Sequence, residues 1–271
     1  MSSPTRYTRI LERLFFEHYQ EGESQVAFER TEISRVADQL GIDVPKNLGD
    51  VVYSSRYRTP LPDSVREKAP EGDAWVIFPA GKGRYRFGLV PEELVNITPR
   101  KGLYETKVPD ATPGMVAKYS LSDEQALLVR LRYNRLIDVF TGVTCYPLQS
   151  HLRAAVPDMG QVETDELYVG VDRGGRHYVF PVQAKGGNDY LGIVQIVQIV
   201  QDLGLCADTF PSLICRPIGA QFLQDDLIAL FEFEEGERYV TVASEKHYRL
   251  VPPDEISPDD LESYRTRAPD D

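Results

Sequence analysis

Three carboxylates, Glu163, Asp165 and Glu166, crowd one short stretch of the chain, and an amide and an ammonium, Gln183 and Lys185, follow further on. In an extended strand residues i and i+2 share a face, so Gln183 and Lys185 point the same way. Carboxylates gathered on one face are what a hard dication prefers. The same residue types at strand ends more commonly form a solvated rim or a surface ion pair. The surrounding elements decide between the two.

Those elements read as a β-hairpin. Leu167, Val169 and Val171 alternate before the turn, and the run 179–184 continues after it. Asp172-Arg173-Gly174-Gly175-Arg176 supplies the turn. Its length sets which acid faces Gln183. A two- or four-residue loop puts Glu166 opposite Gln183; a three- or five-residue loop puts Glu163 and Asp165 on that face. Asp165 is the first choice, Glu163 the next, and Glu166 is held in reserve.

The 271 residues are 42% hydrophobic and 27% charged, as in a globular protein of one large or two modest domains. No apolar run approaches the ~20 residues that span a bilayer. The opening MSSPTRYTRILERLFF interrupts its apolar positions with Arg and Glu, unlike a signal peptide. A cytoplasmic protein without a membrane partner is expected. Cys145, Cys206 and Cys215 are odd in number and lack CxxC spacing, which argues against a disulfide framework or a zinc site. The histidines (His18, His151, His177, His247) are scattered. The net charge of −12 argues against indiscriminate nucleic-acid binding, but residues 1–100 are nearly neutral, with 14 Lys+Arg and 15 Asp+Glu.

Tyr7, Ile10, Leu11, Leu14, Phe15 and His18 have the spacing of an amphipathic helix. A second helix runs from Thr31 as N-cap to Gly41, and a third follows Pro45 with Leu48, Val51 and Val52 inward. The outer face of the third helix carries Lys46, Tyr53 and Ser54, with Arg56 and Arg58 at its end. Strands at 74–79 and 84–90 follow, joined by a turn with Lys82 and Arg84. Residues 92–119, with Pro99, Pro109 and Pro113, read as a connector. One long helix is expected from Ser122, with Gln125 completing its capping box, to Gly142. A strand region at 143–156, the hairpin, a helix at 189–203 bearing Gln195, Gln198 and Gln201, a strand at 209–216 and a second hairpin complete the core. Residues 251–271 read as an acidic, solvated tail.

Three helices followed by a β-hairpin resemble a winged-helix domain. In that family the third helix enters the major groove and the wing touches the backbone, which implies a DNA-binding role for Lys46, Tyr53, Ser54, Arg56, Arg58, Lys82 and Arg84. Residues 120–250 resemble the PD-(D/E)xK nuclease superfamily, in its Q-x-K variant, in both motif and element order. The expected fold class is therefore α/β, with a restriction-endonuclease-like αβββαβ core preceded by a winged helix (residues 1–91). The resemblance implies Mg²⁺ (or Mn²⁺ as substitute) on Asp165 and Gln183, and Lys185 positioning the attacking water. Asp165, Gln183, Lys185 and Glu163 form the implied catalytic set, and Glu124 stands where relatives sometimes hold an auxiliary acid. The implied activity is a DNA endonuclease of the restriction or phage-defence kind, with double-stranded DNA as partner and a homodimer compatible with it. The alternatives are a non-catalytic DNA-binding regulator and an RNA-processing nuclease.

Overall fold

The computed structural model describes residues 5–57, 59–119, 124–186, 194–224, 226–236 and 239–267. The fold is mixed α/β, and the chain divides into two compact units. The first comprises Met1–Asn96, Ala154–Val162 and Gln195–Val197; the second comprises Ile97–Arg153, Glu163–Val194 and Gln198–Asp271. No helix among the described residues is long and apolar enough to cross a membrane.

The first unit opens with α1 (Arg6–His18), capped by Thr5, whose side chain accepts from the Thr8 N–H at 3.3 Å. Its apolar stripe, Ile10, Leu11, Leu14 and Phe15, is fully buried. Each such side chain contributes about 1.5–3 kcal/mol on leaving water. β1 (Gln25–Glu29) was not legible as a strand in the sequence. It leads directly into α2 (Arg30–Leu40), which starts before the expected Thr31 because Glu32 accepts the Glu29 N–H at 2.7 Å. Gly41 ends α2 in the left-handed region, φ 63°. α3 (Gly49–Tyr57) buries Val51 and Val52, and α4 (Asp63–Arg66) follows. β2 (Asp73–Pro79) and β3 (Arg84–Pro91) pair antiparallel, and β1 adds to the other edge of β3, giving the order β1-β3-β2. Phe15 packs edge-on against both Trp75 and Phe87, tying α1 to this sheet.

The stretch 92–119 is more than a connector. It holds α5 (Glu92–Val95), β4 (Asn96–Ile97), β5 (Glu105–Pro109) and α6 (Gly114–Tyr119). β5 is an edge strand of the large sheet, a position where the missing Pro109 N–H is tolerated.

The expected long helix is two, α7 (Glu124–Tyr133) and α8 (Leu136–Thr141), broken at Arg135 with φ 50°. Asn134 causes the break: its side-chain oxygen accepts from Ala111 N at 2.7 Å, and its amide donates to Thr112 Oγ1 and to the Arg130 carbonyl. The expected cap, Ser122, lies outside the described residues. β6 (Thr144–Val156), β7 (Gly160–Val171) and β8 (His177–Lys185) follow as expected. After β9 (Val194–Gln195), α9 runs over Ile196–Thr209, later than the expected 189–203; residues 187–193 lie outside the described set.

Of the strand expected at 209–216 only β10 (Ile214–Cys215) forms; β11 (Ile218–Gln224), which was not expected, follows after Pro217, which has no N–H for the ladder. β12 (Leu227–Glu235) and β13 (Val240–Val251) form the second hairpin. The large sheet has the order β5-β13-β12-β11-β8-β7-β6, with β10 also pairing β8. β11 lies parallel to β8, as a connection through α9 requires. One face of this sheet packs Phe180, Val182, Ala184, Ile218 and Ala220 against Leu127, Leu128 and Leu131 of α7.

Through residue 267 the acidic tail is built into the fold. After a 3₁₀ turn (Pro253–Glu255), α10 (Pro258–Thr266) is capped by Ser257 and bound to β5. Lys107 Nζ lies 3.0 Å from Asp260, and the Arg267 guanidinium sits 3.5 Å over the Tyr104 ring.

Candidate active site at the ends of three strands

The turn decides which acid faces the lysine. Asp172 accepts from Gly174 N at 2.8 Å and from Arg176 N at 2.9 Å, closing a five-residue loop. The ladder then pairs Val171 with His177 and ends at Glu166 with Val182. Glu166 therefore shares a face with Val182 and points toward α7. There it is fully buried, held by the Arg132 guanidinium (Nε at 3.1 Å) and the Tyr168 hydroxyl at 3.1 Å. It is a structural acid.

Asp165 takes the opposite face. Its Oδ2 accepts from the Ala184 N–H at 2.8 Å and stands 3.7 Å from Lys185 Nζ. The ammonium also lies 3.1 Å from Glu124 at the start of α7. Lys185 thus sits between two carboxylates contributed by a strand and by a helix distant in sequence. Burial is the largest influence on Asp165 and raises its pKa, against the opposing pull of Lys185 and Ala184 N–H; the charge of Glu124 adds to the rise.

Gln183 turns into the protein, only 1% exposed. Its Nε2 donates to both Asp202 oxygens, at 3.1 and 3.0 Å, and to the Glu163 carbonyl at 3.3 Å, while its Oε1 accepts from Gln198 Nε2 at 2.8 Å. Asp202, one helical turn beyond Gln198 on α9, is fully buried. Burial pushes its carboxyl well above the ordinary range, the hydrogen bond from Gln183 opposes this, and the Asp165 charge pushes further up. The sequence reading missed Asp202. The available signal was the lone charged residue of the run 194–206, whose other polar side chains are glutamines, at i+4 from Gln198.

The Glu163 carboxylate is not brought to Lys185; it pairs instead with Arg153 at 2.9 Å and His151 at 3.6 Å. Gln195 reaches Asn96 at 3.4 Å.

In the first unit Lys46 and Lys82 are exposed, Tyr53 is 51% exposed and Ser54 is half-buried. Arg84 is exposed and lies 3.6 Å from Asp158. Arg86, two residues further along β3, lies half-buried with its guanidinium 5.0 Å from the Phe78 ring. The side chain of Arg56 and all of Arg58 lie outside the described residues.

A hard cation is tested by its donors. Asp165 and Glu124 converge on one point, now held by an ammonium, and carboxylate oxygens of this kind suit Mg²⁺ or Mn²⁺. Gln183 does not suit the ligand role expected of it, because its oxygen is already engaged by Gln198. Among the described residues no three of His, Cys, Asp and Glu form a ready metal cage.

No family model, curated protein or solved structure matches this chain.

Proposed function

We propose that this protein is a Mg²⁺-dependent endonuclease that hydrolyses phosphodiester bonds in double-stranded DNA. The observation that carries the reading is Lys185 held between Asp165 and Glu124 at the end of β8. Bound there, Mg²⁺ would supply charge neutralisation and Lewis-acid activation of the phosphate. The chain's own groups do the remainder. Lys185 donates a hydrogen bond to the attacking oxygen or to a phosphate oxygen, and Asp165, fixed by Ala184 N–H, holds the ammonium in place. Gln183 acts as a brace, since Asp202 and Gln198 fasten the end of β8 through it.

The element order α7/α8, β6, β7, β8, α9, β11, with β8 and β11 parallel, supports the PD-(D/E)xK resemblance. The first unit, α1-β1-α2-α3 followed by the β2–β3 hairpin, supports the winged-helix resemblance and the role of DNA reader. The restriction or phage-defence setting rests on that pairing of reader and cutter.

A second reading is a DNA-binding regulator whose nuclease-like unit is inert, and the engaged oxygen of Gln183 favours it. Incubating the full chain with supercoiled plasmid, with Mg²⁺ and with chelator, separates the two. Magnesium-dependent nicking supports the enzyme. Salt-sensitive DNA binding without nicking supports the regulator.

A further inference from the structure

β11 brings a fourth side chain to the same strand ends. In its parallel ladder with β8, Gly219 pairs with Gln183 and Gln221 pairs with Lys185. Paired residues on neighbouring strands project to the same face, so Gln221 stands beside the lysine. On its other side the register partner is Ala229 of β12, which carries no polar side chain. The Gln221 Oε1 is buried and has no hydrogen-bond partner. Leaving an acceptor so is destabilising, and such atoms in folded proteins call for a reason, among them a part in catalysis. The carboxyl ends of parallel strands are also where α/β sheets place their ligands.

We infer that Gln221 is a positioning residue of the proposed nuclease, its Oε1 accepting a hydrogen bond from the water that attacks phosphorus. The inference rests on the endonuclease reading. Lys185 donates a hydrogen bond to the water oxygen and the Gln221 Oε1 accepts one from a water O–H, which leaves a lone pair free to point at phosphorus. The oxygen–phosphorus bond forms as the bond from phosphorus to the leaving sugar oxygen breaks. One water proton passes to solvent, the leaving oxygen takes a proton from solvent, and Gln221 is unchanged.

This assignment separates activity from stability. Replacing Gln221 by leucine removes the unpaired acceptor, so Gln221→Leu should melt at the same temperature or higher than the wild type. Its kcat for Mg²⁺-dependent plasmid nicking should fall about tenfold or more, with KM for DNA held within about twofold. Gln221→Glu keeps an acceptor and should recover part of the lost rate. The inference is overturned if the leucine variant keeps its kcat within about twofold, if its rate falls only alongside its melting temperature, or if the glutamate variant is no faster. A wild-type protein that binds but does not nick DNA overturns the endonuclease reading itself, and this inference with it; a nicking wild type leaves the variants to judge Gln221 alone.

Discussion

Two lysines of the second unit each meet an aspartate, at opposite parts of the sheet, and they do different things. Lys107 lies 3.0 Å from Asp260, beside the edge strand β5. Asp260 is the capping-box acid of α10, and the Ser257 hydroxyl and N–H, then Lys107, hold its carboxyl down at about 2. Every part of that pair is satisfied locally, and its work is to fasten α10. Lys185 lies farther from Asp165, at 3.7 Å, yet Asp165 is pushed up because burial outweighs its partners. Residue type and distance alone would rank the Lys107 pair as the stronger. Burial is what separates the Lys185 pair from it, and the proposed nuclease would use that pair.

The sharpest test of this contrast is to remove each aspartate or lysine in turn. Asp165→Ala should reduce Mg²⁺-dependent nicking by about 100-fold or more while the circular dichroism spectrum stays native. Lys107→Met should leave nicking at the wild-type rate. Equal losses in the two variants would erase the distinction.

A smaller effect is expected behind the site. Gln183→Glu exchanges the donor that serves Asp202 for a second carboxyl, so the variant should lose about 1–3 kcal/mol in urea unfolding. Full stability with a lower Mg²⁺ requirement would instead place residue 183 on the metal.

Asp202 sharpens the role of burial through pH. Its folded pKa is raised above the unfolded value of about 3.9, so its contribution is complete below that value and is lost as pH rises through the folded pKa. The loss approaches about 1.4 kcal/mol for each pH unit crossed in that window. Asp202→Asn imitates the protonated acid and cannot ionise. Melting curves from pH 4 upward should show the variant gaining on the wild type as pH increases; parallel curves would mean that Asp202 ionises freely in the folded protein.

A shift of pH profile is expected at Glu124, which besides being a donor of the proposed cation site helps by its charge to raise Asp165. Glu124→Gln should move the acid limb of the nicking rate to lower pH, because Asp165 then ionises more readily. A limb that stays in place would separate the helix acid from the strand acid.

Local pattern determined much of this protein. The stripe of Ile10, Leu11, Leu14 and Phe15, the hairpin around Gly174-Gly175, and the shared face of Gln183 and Lys185 all follow from periods of 3.6 and 2 within a few residues. Such periods are written in neighbouring side chains, so the sequence alone shows them. It showed less where a distant partner decides. Pro109 reads as loop until β13 offers it the edge of a sheet, and the segment of α10 reads as a tail until Lys107 meets Asp260 and the Tyr104 ring meets Arg267. Asn134 breaks a continuous helical pattern because residues 111 and 112 happen to lie beside it. The site shows the same division. The sequence placed an acid, an amide and a lysine at one hairpin end, but only the five-residue turn chose Asp165 over Glu166. Only the packing of α7, α9 and β11 brought Glu124, Asp202 and Gln221 to it, since burial and cross-strand register are properties of the assembled sheet and no single segment carries them.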